Sequence, residues 1–196
     1  MRMCEVLDMD QIDKGTTIKL LNKDEKNIFF LKKGTVKIVN SENGAIKYMV
    51  KKGNIFGELS LYDVTAAAEE HAIALEDCII CYIEADRMDQ LIEKHKSLKN
   101  GILKIYGLRI KKLERRLQDL LYKDSKTRIT EFITDYVKEF GIEKEGLLVA
   151  KNLLSHKDIS NLTNTSRQTT SNVLSMLRKE AIIDYNSESI SISVRK

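Results

Sequence analysis

Leu103, Tyr106, Ile110, Leu113, Leu117 and Leu120 step by three and four residues alternately. Only an α-helix of about five turns can hold such a set on one side. Lys104, Arg109, Lys111, Lys112, Arg115 and Arg116 lie between them, so the flanks of the seam are strongly basic. A seam this long with charged flanks is more often a helix–helix interface than a stripe buried against its own domain, and it predicts homodimerisation through these six residues. The helix divides the 196-residue chain into a first part over 1–96, the helix itself with a hinge over 97–123, and a last part over 124–196.

The part ahead of the helix reads as short strands punctuated by turns. Thr16 to Leu21, Ile28 to Leu31, Thr35 to Val39, Ile46 to Val50 and Cys78 to Ile83 are the strand candidates. Asn22-Lys23-Asp24, Lys33-Gly34, Asn43-Gly44 and Lys52-Gly53-Asn54 supply the turn chemistry between them. Strands at this spacing predict a compact antiparallel roll, followed by an amphipathic stretch from Asp86 to Lys94.

Beyond the seam, Lys123-Asp124-Ser125 is a short polar hinge, and Arg128 to Phe140 resumes helical periodicity with Ile129, Phe132, Ile133, Tyr136 and Val137 facing in. A small strand pair including Leu147 to Ala150 then leads to the stretch from Ser155 to Leu177, which has the pattern of a helix-turn-helix. Ser155 with Asp158 predicts an N-cap with an acidic residue in the first turn, and Ile159 and Leu162 give that short helix one apolar side. Asn164 suits the turn, and Thr165 with Gln168 reads as the capping box of a second helix. Val173, Leu174 and Leu177 would be buried, leaving Arg167, Gln168, Ser171 and Asn172 on the opposite side near its start. These side chains suit base edges in double-stranded DNA: Arg forks onto guanine O6/N7, and Gln and Asn pair with adenine N6/N7. Two amphipathic helices in any small domain would share the apolar spacing; the polar set after the cap is what points to DNA. Ile182 to Tyr185, Asn186-Ser187 and Ile190 to Val194 complete a hairpin, the wing of a winged helix. The fold class is therefore α+β: an N-terminal antiparallel β-roll, a long dimerisation helix and a C-terminal winged helix-turn-helix.

Composition narrows the classes further. Residues 99–123 carry 8 basic against 2 acidic side chains, whereas the overall net charge is only +4. The basic segment reads as a solvated helix face rather than a second DNA surface. No apolar run approaches a membrane span, and Met1 to Asp10 contains no leader-like apolar core, so no membrane partner is expected. Three cysteines, an odd number, point to a reducing cytosol rather than a disulfide frame. There is no G-x-S-x-G, Walker loop or H-E-x-x-H, which speaks against an enzyme.

The order of parts resembles the CRP/FNR family of bacterial transcription regulators. The residues that carry the resemblance are Gly34-Thr35-Val36-Lys37-Ile38, Gly53-Asn54-Ile55-Phe56-Gly57-Glu58-Leu59-Ser60-Leu61 and Thr165-Ser166-Arg167-Gln168-Thr169. It spans nearly the whole chain from about residue 12, with the family's helix ahead of the roll missing or cut short. The roll would be the effector domain, of the cyclic-nucleotide-binding type, and RNA polymerase would be a partner. By resemblance Ser166 opens the recognition helix, Arg167 contacts a guanine in each half-site, Gln168 a neighbouring base pair, and Thr169 a phosphate. Asn172 stands where many members have a base-reading Arg, so the half-site departs from the best-known one.

The resemblance also implies an effector pocket at Gly57, Glu58, Leu59, Ala68, Glu69, Leu113 and Glu114. Glu58 matches the carboxylate that accepts from a ribose hydroxyl in cyclic-nucleotide binders. The Arg-Ser pair that neutralises the cyclic phosphate falls on Ala68 and Glu69, with Glu70 next, and Leu113-Glu114 replaces the Thr-Ser pair offered to the adenine. A phosphate among Glu58, Glu69 and Glu70 without a cation is unfavourable by several kcal/mol. The expectation is a regulator that does not depend on cyclic AMP, with Glu58 a turn carboxylate accepting backbone N–H groups, and no resident cofactor. An iron–sulfur cluster would need four Cys ligands where only Cys4, Cys78 and Cys81 exist. Cys78 and Cys81 read as buried small hydrophobes. Haem would need an axial ligand such as His71, Cys78 or a Met. Two alternatives stay open: a haem- or redox-sensing regulator of the same fold, and a regulatory protein-interaction module without DNA binding.

Overall fold

The computed structural model describes residues 7–22, 25–58 and 69–193. Their contacts group into two compact units, residues 1–110 and 111–196, so the boundary falls inside the long helix. In the first unit the described strands are β1 (Asp8–Ile12), β2 (Thr17–Lys19), β3 (Leu21–Asn22), β4 (Glu25–Lys33), β5 (Thr35–Asn40), β6 (Ile46–Lys51), β7 (Ile55–Phe56), β8 (Glu70–Ala74) and β9 (Cys78–Glu84). One sheet runs β1-β9-β4-β3 with β7 on β4, and the other runs β2-β8-β5-β6. Every one of these pairings is antiparallel.

A shared core joins the two sheets, drawing Leu31 and Ile80 from one, Val36, Ile38 and Val50 from the other, and Phe29 stacked on Phe56 with ring centroids 4.9 Å apart. All five strand segments expected from the sequence are present, the first broken into β2 and β3. The strands without a sequence signal are β1, β7 and β8. β1 is a mostly exposed edge strand carrying two aspartates, and β8 begins on the buried Glu70, so neither shows the apolar alternation of a half-buried strand. The turn from β4 to β5 needs Gly34, whose φ is +90°; a Cβ there would stand 2.5 Å from the Cys78 sulfur.

Helix α1 (Ala85–Lys94) and helix α2 (Lys96–Tyr122) follow, separated only by His95. Met88 and Ile92 of α1 and Ile102 of α2 bury against Ile28, Ile55 and Ile83, with Leu98, Ile105 and Tyr106 packed alongside. A neighbouring stripe of the same helix lies open to solvent: Leu103 is 58%, Ile110 56%, Leu113 61% and Leu117 59% exposed. Tyr106, placed in the seam by its spacing, is half-buried and turned to the roll instead.

The second unit continues α2 into α3 (Ser125–Phe140), β10 (Ile142–Lys144), β11 (Leu147–Lys151), α4 (His156–Thr163), α5 (Arg167–Lys179), β12 (Asp184–Tyr185) and β13 (Ser189–Ser193). Its sheet is antiparallel in the order β10-β11-β13-β12. Ile129, Ile133, Tyr136 and Val137 of α3 are buried, with Ile159 of α4 and Val173, Leu174 and Leu177 of α5; Phe132 is only half-buried. The expected hinge is short: Lys123 ends the helical run and Asp124 caps α3, accepting from the Thr127 N–H at 2.7 Å. Across it, α2 and α3 fold into an antiparallel pair edged by Lys112–Glu139 and Arg115–Asp135, each at 2.9 Å. Lys123 meets Asp119 at 2.6 Å and Glu131 at 2.5 Å. Among the described residues no helix is long and apolar enough to cross a membrane.

Candidate DNA-reading surface and effector pocket

The reading surface is built from the turn between α4 and α5. A capping box closes the start of α4, with Ser155 and Asp158 bonding each other's backbone N–H groups. Asn164 ends that helix in the left-handed region at φ 51°, a conformation Asn tolerates better than most residues. The cap of α5 is Ser166 and not Thr165: the Ser166 hydroxyl accepts from the Thr169 N–H at 2.9 Å. Thr165 is drawn into a row of hydroxyls instead, 3.0 Å from Thr163 Oγ1 and 3.1 Å from Thr170 Oγ1. The capping residue thus lies one position later than the box pattern suggested, and α5 begins at Arg167.

That start sets what the helix displays. Thr170, Val173, Leu174 and Leu177 are buried, whereas Arg167, Gln168 and Asn172 are exposed in the first turns and Ser171 is half-buried. Thr169 is half-buried, its hydroxyl 2.8 Å from that of Ser166. Gln168 Nε2 donates to Asn172 Oδ1 at 3.0 Å, so the two amides form one unit across an i,i+4 spacing. His156, at the head of α4, meets the Tyr185 hydroxyl of the wing at 2.8 Å. At the wing tip the Asn186 side chain accepts from the Glu188 and Ser189 N–H groups at 2.8 and 2.9 Å.

The pocket region is electrostatically different from its sequence reading. Gly57, at φ +78°, brings the backbone so close to the Asn27 carbonyl that a Cβ would stand 2.7 Å from it, and this turn aims Glu58 into the protein. Glu58 is 1% exposed and forms an ion pair with Arg109 of α2. It is not a turn carboxylate satisfied by backbone N–H groups. The Arg109 guanidinium also donates to the Ile55 carbonyl at 3.0 Å and lies over the Tyr48 ring, 4.3 Å from its centroid. Tyr106 donates to the Glu58 carbonyl at 3.2 Å. Burial lowers the Arg109 pKa from its ordinary value and pushes that of Tyr48 up to about 12, so Tyr48 is neutral and Arg109 charged at pH 7.

Glu70 is buried as well and pairs with Lys47, while Glu69 is exposed. The expected cluster of three uncompensated carboxylates is therefore absent. The cations come from Arg109, 51 positions after Glu58, and from Lys47 in β6, which β5 separates from the β8 strand of Glu70. Leu59 and Ala68 lie outside the described residues. Leu113 and Glu114 belong to the second unit and are exposed there. Arg109 pairs with Glu58 although its place beside the seam predicts a solvated flank residue. The signal was available: Leu98, Ile102, Ile105 and Arg109 share one face at spacings of four, three and four.

Cys78 and Cys81 are both buried, the Cys78 thiol lying 3.1 Å from the Glu76 carbonyl. His71 is half-buried, with Nδ1 3.1 Å from the Ser41 hydroxyl. Among the described residues no group of three or more His, Cys, Asp or Glu side chains is placed to hold a metal ion.

Comparison with known proteins agrees with both halves of this arrangement. Residues 10–95 match the cyclic nucleotide-binding domain, and residues 127–196 the Crp-like helix-turn-helix domain. The global nitrogen regulator of Synechococcus elongatus is 23% identical over 192 residues, 95% of this chain and 86% of its own length. The CRP-like cAMP-activated global transcriptional regulator of Mycobacterium tuberculosis is 21% identical over 183 residues, 92% of this chain and 81% of its own length. Among solved structures, FixK2 from Bradyrhizobium japonicum superposes with a TM-score of 0.78 at 16% identity, covering 95% of this chain and 92% of that one. A CooA variant from Carboxydothermus hydrogenoformans gives 0.76 at 18% identity, covering 97% and 85%. At these identities the superpositions speak for the fold.

Proposed function

Because this chain belongs to the CRP/FNR family of transcription regulators, we propose that it acts as a homodimeric, sequence-specific DNA-binding regulator that needs no cyclic AMP to recognise its operator. The observation that carries the reading is α5 itself: a Ser166-capped helix whose first turns expose Arg167, Gln168 and Asn172 while its other face is buried. Arg167 would fork onto a guanine, Gln168 would read an adjacent base pair, and the Ser166–Thr169 pair would face a phosphate.

The exposed stripe of Leu103, Ile110, Leu113, Leu117 and Leu120 supports pairing of two chains along α2. Two recognition helices would then enter successive major grooves about 10–10.5 bp apart, on a palindromic operator. The roll over 1–96 serves as the effector domain, the helix and hinge over 97–123 as the dimer element, and 124–196 as the DNA-binding domain. The protein works in the cytosol, with RNA polymerase as its partner at the promoter.

Independence from cyclic AMP rests on the ion pairs. Arg109 is engaged by Glu58 and Lys47 by Glu70, so a cyclic phosphate would have to displace a buried carboxylate from a half-buried guanidinium. Haem is disfavoured by the half-buried ring of His71, held 3.1 Å from the Ser41 hydroxyl, and by the buried thiol of Cys78.

Selection from a random duplex pool with ligand-free protein, repeated with cyclic AMP, tests the whole reading. A palindrome recovered equally in both conditions is the expected outcome. Enrichment only with cyclic AMP would overturn the ligand independence. No enrichment in either condition would overturn DNA reading by the ligand-free protein, and affinity insensitive to salt would favour a protein-contact module.

A further inference from the structure

Three backbone carbonyls at the end of α4, those of Asn161, Thr163 and Asn164, accept from arginines that lie outside the helix-turn-helix. Arg116, near the end of α2, donates from Nη2 to the Asn161 carbonyl at 3.2 Å. Arg128, in the first turn of α3, donates from Nε to the Thr163 carbonyl at 3.0 Å and from Nη2 to the Asn164 carbonyl at 3.1 Å. Its Nη1 donates in the opposite direction, to the Lys123 carbonyl at 2.6 Å, at the hinge itself. One planar guanidinium thus holds the hinge backbone and the turn ahead of α5 together. Its fixed fork of donors makes this possible where an ammonium on a flexible stem could not.

The carbonyls at the end of a helix lack intrahelical partners and carry its partial negative charge, so a cation there satisfies both deficits. The connection continues into α5. The Thr165 N–H donates to the Ser160 carbonyl at 2.9 Å, and the Thr165 hydroxyl is 3.1 Å from that of Thr170, which is buried in α5. No base-reading side chain takes part. Arg116 is half-buried, and that burial lowers its pKa.

We propose that Arg116 and Arg128 form a two-armed clamp that makes the hinge at Lys123–Asp124 and the recognition helix move as one piece. They are positioning residues: in a dimer they fix the separation and tilt at which the two α5 helices meet DNA. The inference rests on the dimeric DNA-binding reading above.

The test uses the full chain with Arg116→Gln/Arg128→Gln, and the selected operator synthesised with its half-site spacing changed by about 1 or 2 bp either way. The wild type is expected to prefer the native spacing by about tenfold or more, and the double variant to bind all spacings within about threefold. Base preference within each half-site stays unchanged, which separates lost positioning from a damaged α5. Arg128→Lys, which keeps the charge and loses the fork, falls between the two. Spacing profiles that superimpose would overturn the clamp. Hydrogen exchange on the free proteins gives a reading that needs no DNA. The Thr165 amide is expected to exchange about tenfold faster or more in the double variant, and equal protection would overturn the clamp. A flat profile for the wild type would overturn the dimer reading instead, and the exchange result alone would then decide on the clamp. Should the double variant lose its native circular dichroism, Arg128→Lys and Arg116→Gln singly carry both measurements.

Discussion

Replacing Arg109 by Met would strip the cation from Glu58 and leave a carboxylate that is 1% exposed without its partner. Removing one member of a buried ion pair typically costs about 3–5 kcal/mol. Arg109 is itself 21% exposed, which places the loss near the lower bound. The variant also loses the hydrogen bond to the Ile55 carbonyl and the contact with the Tyr48 ring, worth about 1 kcal/mol each. Met fills much of the apolar stem, so a total of roughly 4 kcal/mol is expected. Glu58→Gln keeps the shape and should cost about 2 kcal/mol. The double variant has no buried charge left to compensate, so its loss should fall about 2 kcal/mol short of the sum. Urea unfolding followed by far-ultraviolet circular dichroism suits a chain without Trp. Lys112→Met, which breaks a pair whose members are 68% and 36% exposed, serves as the control and should change stability by less than about 0.5 kcal/mol. Additive single variants, or a loss below about 1 kcal/mol for Arg109→Met, would refute the pair as a structural link between helix and roll.

The remaining expectations concern the second unit and the seam. Arg167→Ala should weaken operator binding by about 1–3 kcal/mol and relax selection at one position of each half-site, read by repeating the selection with the variant. Asn172→Ala removes the oxygen that accepts from Gln168, and should lower discrimination at the Gln168 position by roughly threefold to tenfold; identical base preferences would show that the amide pair plays no part in reading. Leu113→Asp with Leu117→Asp should yield monomers by sedimentation, and a surviving dimer would rule out the seam. The Asp124 carboxyl is held below its ordinary pKa by the Thr127 N–H it accepts from, so its stabilisation is complete above the usual carboxylate range and lost as pH falls through the lowered value. Asp124→Asn keeps an accepting oxygen without titrating, so the acid-side difference in melting temperature between the two proteins should vanish as the pH drops; a gap independent of pH would contradict this.

Legibility of the fold followed the length scale of the interaction. The caps at Ser155 and Asp124, the left-handed Asn164 and the buried face of α5 are decided within four residues, and spacing alone placed most of them. The exception, Thr165 against Ser166, is instructive: two adjacent hydroxyls both satisfied the cap rule locally. The choice fell to Thr163 and Thr170, which bond Thr165 from either side. β8 was hidden because its first residue, Glu70, is charged, and its burial depends on Lys47 across the sheet. Glu58 and Glu70 lack a cation in their local sequence, yet each is matched from a different element, by Arg109 and Lys47, while Glu69 is exposed.

The long helix shows why Arg109 in particular escaped. Leu98, Ile102, Ile105 and Arg109 form one stripe, and Leu103, Ile110, Leu113, Leu117 and Leu120 a second, displaced from the first by one residue. One residue is about 100° of rotation, so the helix meets both demands without conflict, and Tyr106 lies between them as a member of either pattern. Heptad counting finds the longer stripe and assigns everything else to solvent. Arg109 and Ile110 are neighbours on one rigid element, so a rotation of α2 large enough to separate Arg109 from Glu58 must swing Leu103 and Ile110 by the same angle. Within the first unit, the Glu58–Arg109 pair and the direction faced by Leu103 and Ile110 are thereby set together.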